Sequence, residues 1–121
     1  MAHRIAAIFV AAVLFTTSVA PLLADARGEA RQWVTFGITV AQRGLWREAI
    51  YRFEKATELD PTYASAFNNL AIGYEHEGQM DKARVAYEKA IELAPKDQQI
   101  RQNYELFREI HDRLAADKET P

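Results

Sequence analysis

The stretch FEKATELDP at residues 53–61 returns 34 residues later as YEKAIELAP at residues 87–95. Glu, Lys, Ala, Glu, Leu and Pro recur in place, and Phe is exchanged for Tyr. Laid against itself at this offset, the chain matches well beyond the quoted residues. Trp33 falls on Phe67, Phe36 on Leu70, Gly37 on Ala71, Val40 on Tyr74, Gly44 on Gly78, Ala49 on Ala83 and Ala56 on Ala90. Aromatic meets aromatic and small meets small. A fixed period of this size is the mark of stacked supersecondary units.

Each unit reads as two helices. Trp33, Phe36 and Val40 recur at helical spacing, which predicts a helix over residues 30–43. Gly44 supplies the left-handed residue that ends it. Residues 46–59 repeat the pattern through Ala49, Ile50, Phe53 and Ala56, and Pro61 forbids continuation. Thr62 is placed to cap a third helix, about 63–77, which Gly78 stops. A fourth helix is expected over 80–93 and a fifth, capped by Asp97, over 98–116. Gly37 inside a helix costs about 1 kcal/mol against Ala, a cost that makes sense where a neighbouring helix passes over it.

At this point the chain resembles the tetratricopeptide repeat family. Trp33, Phe36, Gly37, Val40, Ala49, Phe53 and Pro61 form one copy of its pattern; Phe67, Leu70, Ala71, Tyr74, Ala83, Tyr87 and Pro95 form a second. The resemblance implies an all-α fold, a short right-handed α-solenoid of two helix pairs, here followed by a C-terminal capping helix. It also implies a protein or peptide partner bound on the concave face. The expected organisation is a signal segment over 1–26, repeat one over 30–63, repeat two over 64–97, a cap over 98–116 and a polar tail over 117–121.

The first residues follow the order of a secretory signal: Arg4, an apolar run over 5–15, then Thr16, Thr17, Ser18, Pro21 and small residues. Cleavage is expected after Ala24 or Ala26. The alternative is an uncleaved anchor, since residues 5–24 carry no charge and are long enough to span a bilayer. Both readings export the domain to the periplasm, with membrane contact only if the segment stays uncleaved. The formal net charge of −2 gives no field to attract nucleic acid, and no aromatic-basic interleaving suggests it either. The absence of cysteine excludes disulfides, thiolate metal sites and a Cys nucleophile.

Two repeats are few for a stable array, so the ends matter. In the fifth helix Arg101, Glu105, Arg108 and Asp112 form one charged stripe, while Ile100, Tyr104, Phe107 and Leu114 form an apolar one expected to be buried. At the front, Gln32, Thr39 and Arg43 present a polar face on which nothing needs to dock. Both ends read as closed, and a monomer is expected rather than an oligomer.

The first helix of each pair lines the groove in the resembled family. The corresponding row here is Ile38, Ile72 and Leu106, with Val34, Asn68 and Gln102 beside it, Asn69 and Asn103 next to two of these, and Glu75 a turn below. These nine residues are the candidate partner-binding groove. An apolar floor with side-chain amides suits an extended peptide or a partner helix; the three apolar residues can equally belong to the core. The amides of Asn68, Asn69 and Asn103 are expected to be exposed. Some family members clamp a partner's C-terminal carboxylate with cations and asparagines. The corresponding places hold Val34, Ile38, Asn69, Gln99 and Asn103, with no cation, so that use is excluded.

No catalytic set converges. His76-Glu77 opens like a zinc-binding HExxH helix, but Met80 takes the second ligand place and Gly78 ends the helix. His111 has no nearby nucleophile, and no GxSxG, phosphate loop or dinucleotide pattern occurs. The sequence therefore reads as a non-catalytic interaction module without cofactor or metal, an adaptor or scaffold in the cell envelope. The alternative is a structural subunit that self-associates through Trp46 and Tyr51 on the outer helices.

Overall fold

The computed structural model describes residues 20–120. The apolar run over 5–15 lies outside the described residues. Among the described residues there are five helices and no strand: α1 (Ala20–Ala41), α2 (Trp46–Leu59), α3 (Ala64–His76), α4 (Met80–Leu93) and α5 (Gln98–Glu119). Short connections make α1 and α2, and then α3 and α4, antiparallel hairpins. α3 packs against both helices of the first hairpin, and α5 rests on the second, chiefly on α4. The result is the short α-solenoid that the duplicated sequence predicts.

Small residues set the helix separations. Ala49, Ala56, Ala66, Ala71, Ala83 and Ala90 are fully buried, and Phe53, Tyr87 and Phe107 are the large rings between them. A Cβ at Gly37 would overlap the Phe53 ring, and one at Gly73 would come 2.8 Å from Ile50 Cγ1. The Phe53 ring is thus wedged between α1 and α3, and both glycines are required by close approach rather than by backbone angle. The turns are where the sequence places them. Gly44 and Gly78 hold φ of 77° and 72°, the left-handed conformation that ends a helix without a Cβ clash. Asp97 caps α5, its Oδ1 accepting from the Ile100 N–H at 3.1 Å.

The loop between the repeats is built differently from the expectation. Thr62 does not cap α3, whose N-cap is Tyr63. Instead Asp60 Oδ1 accepts from the Thr62 N–H at 3.0 Å and the Thr62 hydroxyl at 2.6 Å, folding the loop on itself. Arg27 closes the arrangement. Its guanidinium pairs with Asp60 and donates to the Thr62 hydroxyl, and it lies 4.7 Å from the centre of the Tyr63 ring. Burial alone would raise the Asp60 carboxyl. Thr62 and Arg27 outweigh it and hold the group below its ordinary value.

Two helix ends differ from the reading of the sequence. α1 is already helical at Ala20, the first described residue, so it takes in residues ahead of residue 30, and Arg27 ties this part of it to the loop. α5 continues to Glu119 through good helix formers, so it takes in most of the segment read as a polar tail.

Candidate functional site

The nine candidate groove residues fall into three groups. Ile38, Asn69 and Ile72 line one cleft with Ala41, Gln42, Trp46 and Phe53, about 320 Å³ in volume. Ile38 is exposed and Ile72 half-buried. Asn69 donates to the Ser65 carbonyl at 2.8 Å, which holds its amide against its own helix.

A second group is structural. Val34 is only 4% exposed and belongs to the core, so it does not line a groove. Asn68 is buried as well, against the expectation of an exposed amide. Its Oδ1 accepts from Asn103 Nδ2 at 3.1 Å, a bond that joins α3 to α5 and satisfies the buried carbonyl. Asn103 is half-buried and accepts from Gln99 Nε2 at 3.0 Å. Glu75, also half-buried, accepts the Tyr87 hydroxyl. Burial, the bond to Glu75 and its charge push the Tyr87 hydroxyl above its ordinary range. Tyr74 is raised in the same way by burial and Glu54, whose carboxylate accepts at 2.8 Å. Both phenols are therefore neutral donors that tie neighbouring helices together.

The third group lies on α5. Gln102 and Leu106 are exposed, Leu106 at 58%. Leu106 occupies the register position of Ile38 and Ile72. From it an apolar stripe continues through Ile110 and Leu114, each four residues on and about half exposed. Leu114 was expected to be buried and is not. A helix of 22 residues is about 33 Å long and its neighbour α4, with 14, about 21 Å, so the end of α5 outruns its support.

Several features escaped the sequence. Trp46 opens α2 beside the cleft and stacks on His76, with ring centres 3.6 Å apart and planes at 5°. Tyr51 meets the edge of Trp33 instead. Five residues apart on one helix, Trp46 and Tyr51 point about 140° away from each other, so they form no single outer patch. The spacing alone gave that signal. The front is not wholly polar either: Phe36 is 62% exposed, with the Arg52 guanidinium 5.6 Å from its ring centre. Among the described residues no group of three or more His, Cys, Asp or Glu side chains is placed to hold a metal.

With the hairpins and the cleft in place, the class is set by comparison with known families. A family model described as tetratricopeptide repeat matches residues 64–97, and one described as TPR repeat matches residues 40–76. The chain belongs to the tetratricopeptide repeat family, whose members are in general protein–protein interaction modules. It is 32% identical over 111 residues to the type IV pilus assembly protein PilF of Pseudomonas aeruginosa. That match takes in 86% of this chain and 44% of the relative, so the chain spans less than half the length of that protein. No helix among the described residues is long and apolar enough to cross a membrane.

Proposed function

We propose that the protein is a non-catalytic binding module of a cell-envelope assembly, with a role akin to that of its pilus-assembly relative. It takes a peptide or partner helix along the Ile38–Ile72 cleft and onto the α5 stripe. The observation that carries this reading is the apolar row itself. Ile38 and Ile72 share one open cleft, and Leu106, in register with them, begins a stripe with Ile110 and Leu114 that is about half exposed among the described residues. An amphipathic helix that presents apolar residues at every third or fourth position matches such a surface. Export to the periplasm, with or without removal of the first 26 residues, and a monomeric adaptor complete the proposal.

The test is Ile72→Glu. A charge at the centre of the cleft is expected to leave far-ultraviolet dichroism unchanged, because Ile72 is half-exposed, and to abolish partner capture from a native envelope extract. Undiminished capture by the folded variant would place the binding surface elsewhere.

A further inference from the structure

A larger cavity, about 550 Å³, opens on another side of the second hairpin. Phe67, Leu70 and Tyr74 of α3 and Val85 and Ala86 of α4 supply its apolar lining, and Asp81, Lys82 and Lys89 its rim. It lies away from the Ile38–Ile72 cleft, since Leu70 and Ile72 point to opposite sides of α3. It also lies away from α5, which is met by Arg84, Tyr87 and Glu88 of α4.

Comparison with the first repeat shows why this cavity is the larger of the two in register. At the 34-residue offset Trp33 becomes Phe67, Phe36 becomes Leu70, Tyr51 becomes Val85 and Arg52 becomes Ala86. All four of these replacements are smaller and line the cavity, while Val40 becomes the larger Tyr74 at its edge. In repeat one the Tyr51 ring packs against the Trp33 ring at 6.4 Å and 78° and takes up part of this space, leaving a smaller cavity of about 260 Å³ beside Trp33, Phe36 and Arg52. In repeat two Val85 stands there, 67% exposed, over an apolar floor whose Leu70 is only 6% exposed. The ring that repeat one carries itself is missing from repeat two.

The rim gives the charge of what replaces it. Lys82 and Lys89 stand three residues before and four after Val85, on one face of α4 and about 10 Å apart along it. Lys82 leans over the Tyr74 ring at 5.7 Å, and Lys89 makes only an exposed pair with Glu92 at 3.4 Å, which is easily exchanged. Asp81, Lys82 and Lys89 sum to one positive charge once Lys89 is released from Glu92, on a chain whose formal charge is −2.

We infer that this slot is a second docking site, for a peptide segment that inserts an aromatic ring beside Val85 and sets carboxylates on either side against Lys82 and Lys89. The ring completes the edge-to-face packing that repeat one makes internally, and the flanking charges fix its direction along α4. The site does not depend on the Ile38–Ile72 cleft.

The probe is a peptide with phenylalanine between pairs of glutamates, titrated into the 15N-labelled full chain and followed by amide shifts. Saturable shifts are expected at Phe67, Tyr74 and Val85. Val85→Tyr, which gives repeat two the ring of repeat one, is expected to weaken binding at least tenfold. The surface variant Lys82→Glu with Lys89→Glu is expected to do the same without entering the core, and Ile72→Glu to leave binding unchanged. Replacing the peptide's phenylalanine by alanine removes the shifts. Equal affinity in the Val85→Tyr or the double-lysine variant, shifts confined to Ile38, Ile72 and Leu106, or slot shifts that follow protein concentration without peptide would each overturn the assignment.

Discussion

The seam between α2 and α3 and the seam between α4 and α5 occupy the same place in the repeat and are built in opposite ways. At the first, Gly73 lets α3 close onto Ile50 and the Phe53 ring. At the second, the residue in register with Gly73 is Phe107, whose ring meets Tyr87 at 5.3 Å and fills the seam itself. A glycine brings two helices together over a long contact; a phenylalanine holds them apart on a single plug. The first seam joins two hairpins, and the second seats a single helix on the second hairpin. α5 meets the described residues before it through Ile100 and Phe107, which are buried, Tyr104 beside them, and the bonds of Asn103 to Asn68 and of Tyr104 to Glu88.

The plug is the place where this difference can be broken most severely. Phe107→Ala removes a ring that is 2% exposed and leaves a cavity under α5, at a cost of about 3–5 kcal/mol. That is comparable to the whole stability of a small domain. Because α5 has so few other attachments, the loss is expected to fall on the cap first. Hydrogen exchange would check it: amides of α5 should lose protection well before those of α2 and α3. Uniform loss across all five helices would mean that the cap is as firmly integrated as an internal repeat.

The two linkers offer a milder comparison. Each uses one aspartate, but at different places. Asp60 precedes Pro61 and organises Thr62 with help from Arg27, whereas Asp97 follows Pro95 and caps α5 directly. Asp60→Asn keeps an acceptor for the Thr62 N–H but gives up the charge facing Arg27. Since that guanidinium is 38% exposed, the cost at pH 7 is about 1 kcal/mol. The sign with pH follows from the depressed carboxyl. Its contribution is complete above the ordinary value of 3.8 and is lost as pH falls from there through the lower folded-state value. Thermal melts between pH 7 and pH 2 should show a shallower acid decline for Asp60→Asn than for the unsubstituted chain. Asp97→Asn serves as the reference, because Asn caps a helix as well as Asp does and should cost little. An acid decline that Asp60→Asn leaves unaltered would remove the Arg27–Asp60 pair from the account.

These contrasts also mark what the sequence could and could not say. The 34-residue offset disclosed the helix pairs, since it repeats both the small residues that permit contact and the glycines that end helices. Gly44, Gly78 and Asp97 do in space what their types imply. The groove was harder to read. Ile38 and Ile72 meet in a cleft, but Val34 and Asn68, one helical turn earlier, face the interior, because only two hairpins and a cap curve around them. Asn68 is satisfied by Asn103 from 35 residues away, a partnership that periodicity within one helix cannot reveal. Arg27 was missed because it lies ahead of the repeat pattern. Leu114 was misplaced because burial depends on the length of the neighbouring helix as well as on the stripe.

The smallest effect tests whether the two repeats are truly interchangeable in register. Phe53 and Tyr87 are equivalent, and so are Ala41 and Glu75. In repeat two the extra phenol oxygen has a carboxylate to receive its proton; in repeat one neither is present, and Ala41 lines the cleft beside Phe53. Phe53→Tyr alone therefore places a hydroxyl where no acceptor waits and should cost about 1 kcal/mol. Adding Ala41→Glu should return most of that cost, because it rebuilds the Tyr87–Glu75 pair one period earlier. A double-mutant cycle by urea denaturation gives the coupling directly. A coupling near zero would show that the wedge between Gly37 and Gly73 holds the Phe53 ring in a pose unlike that of Tyr87, so that register equivalence in this chain extends to the backbone but not to the side-chain tips.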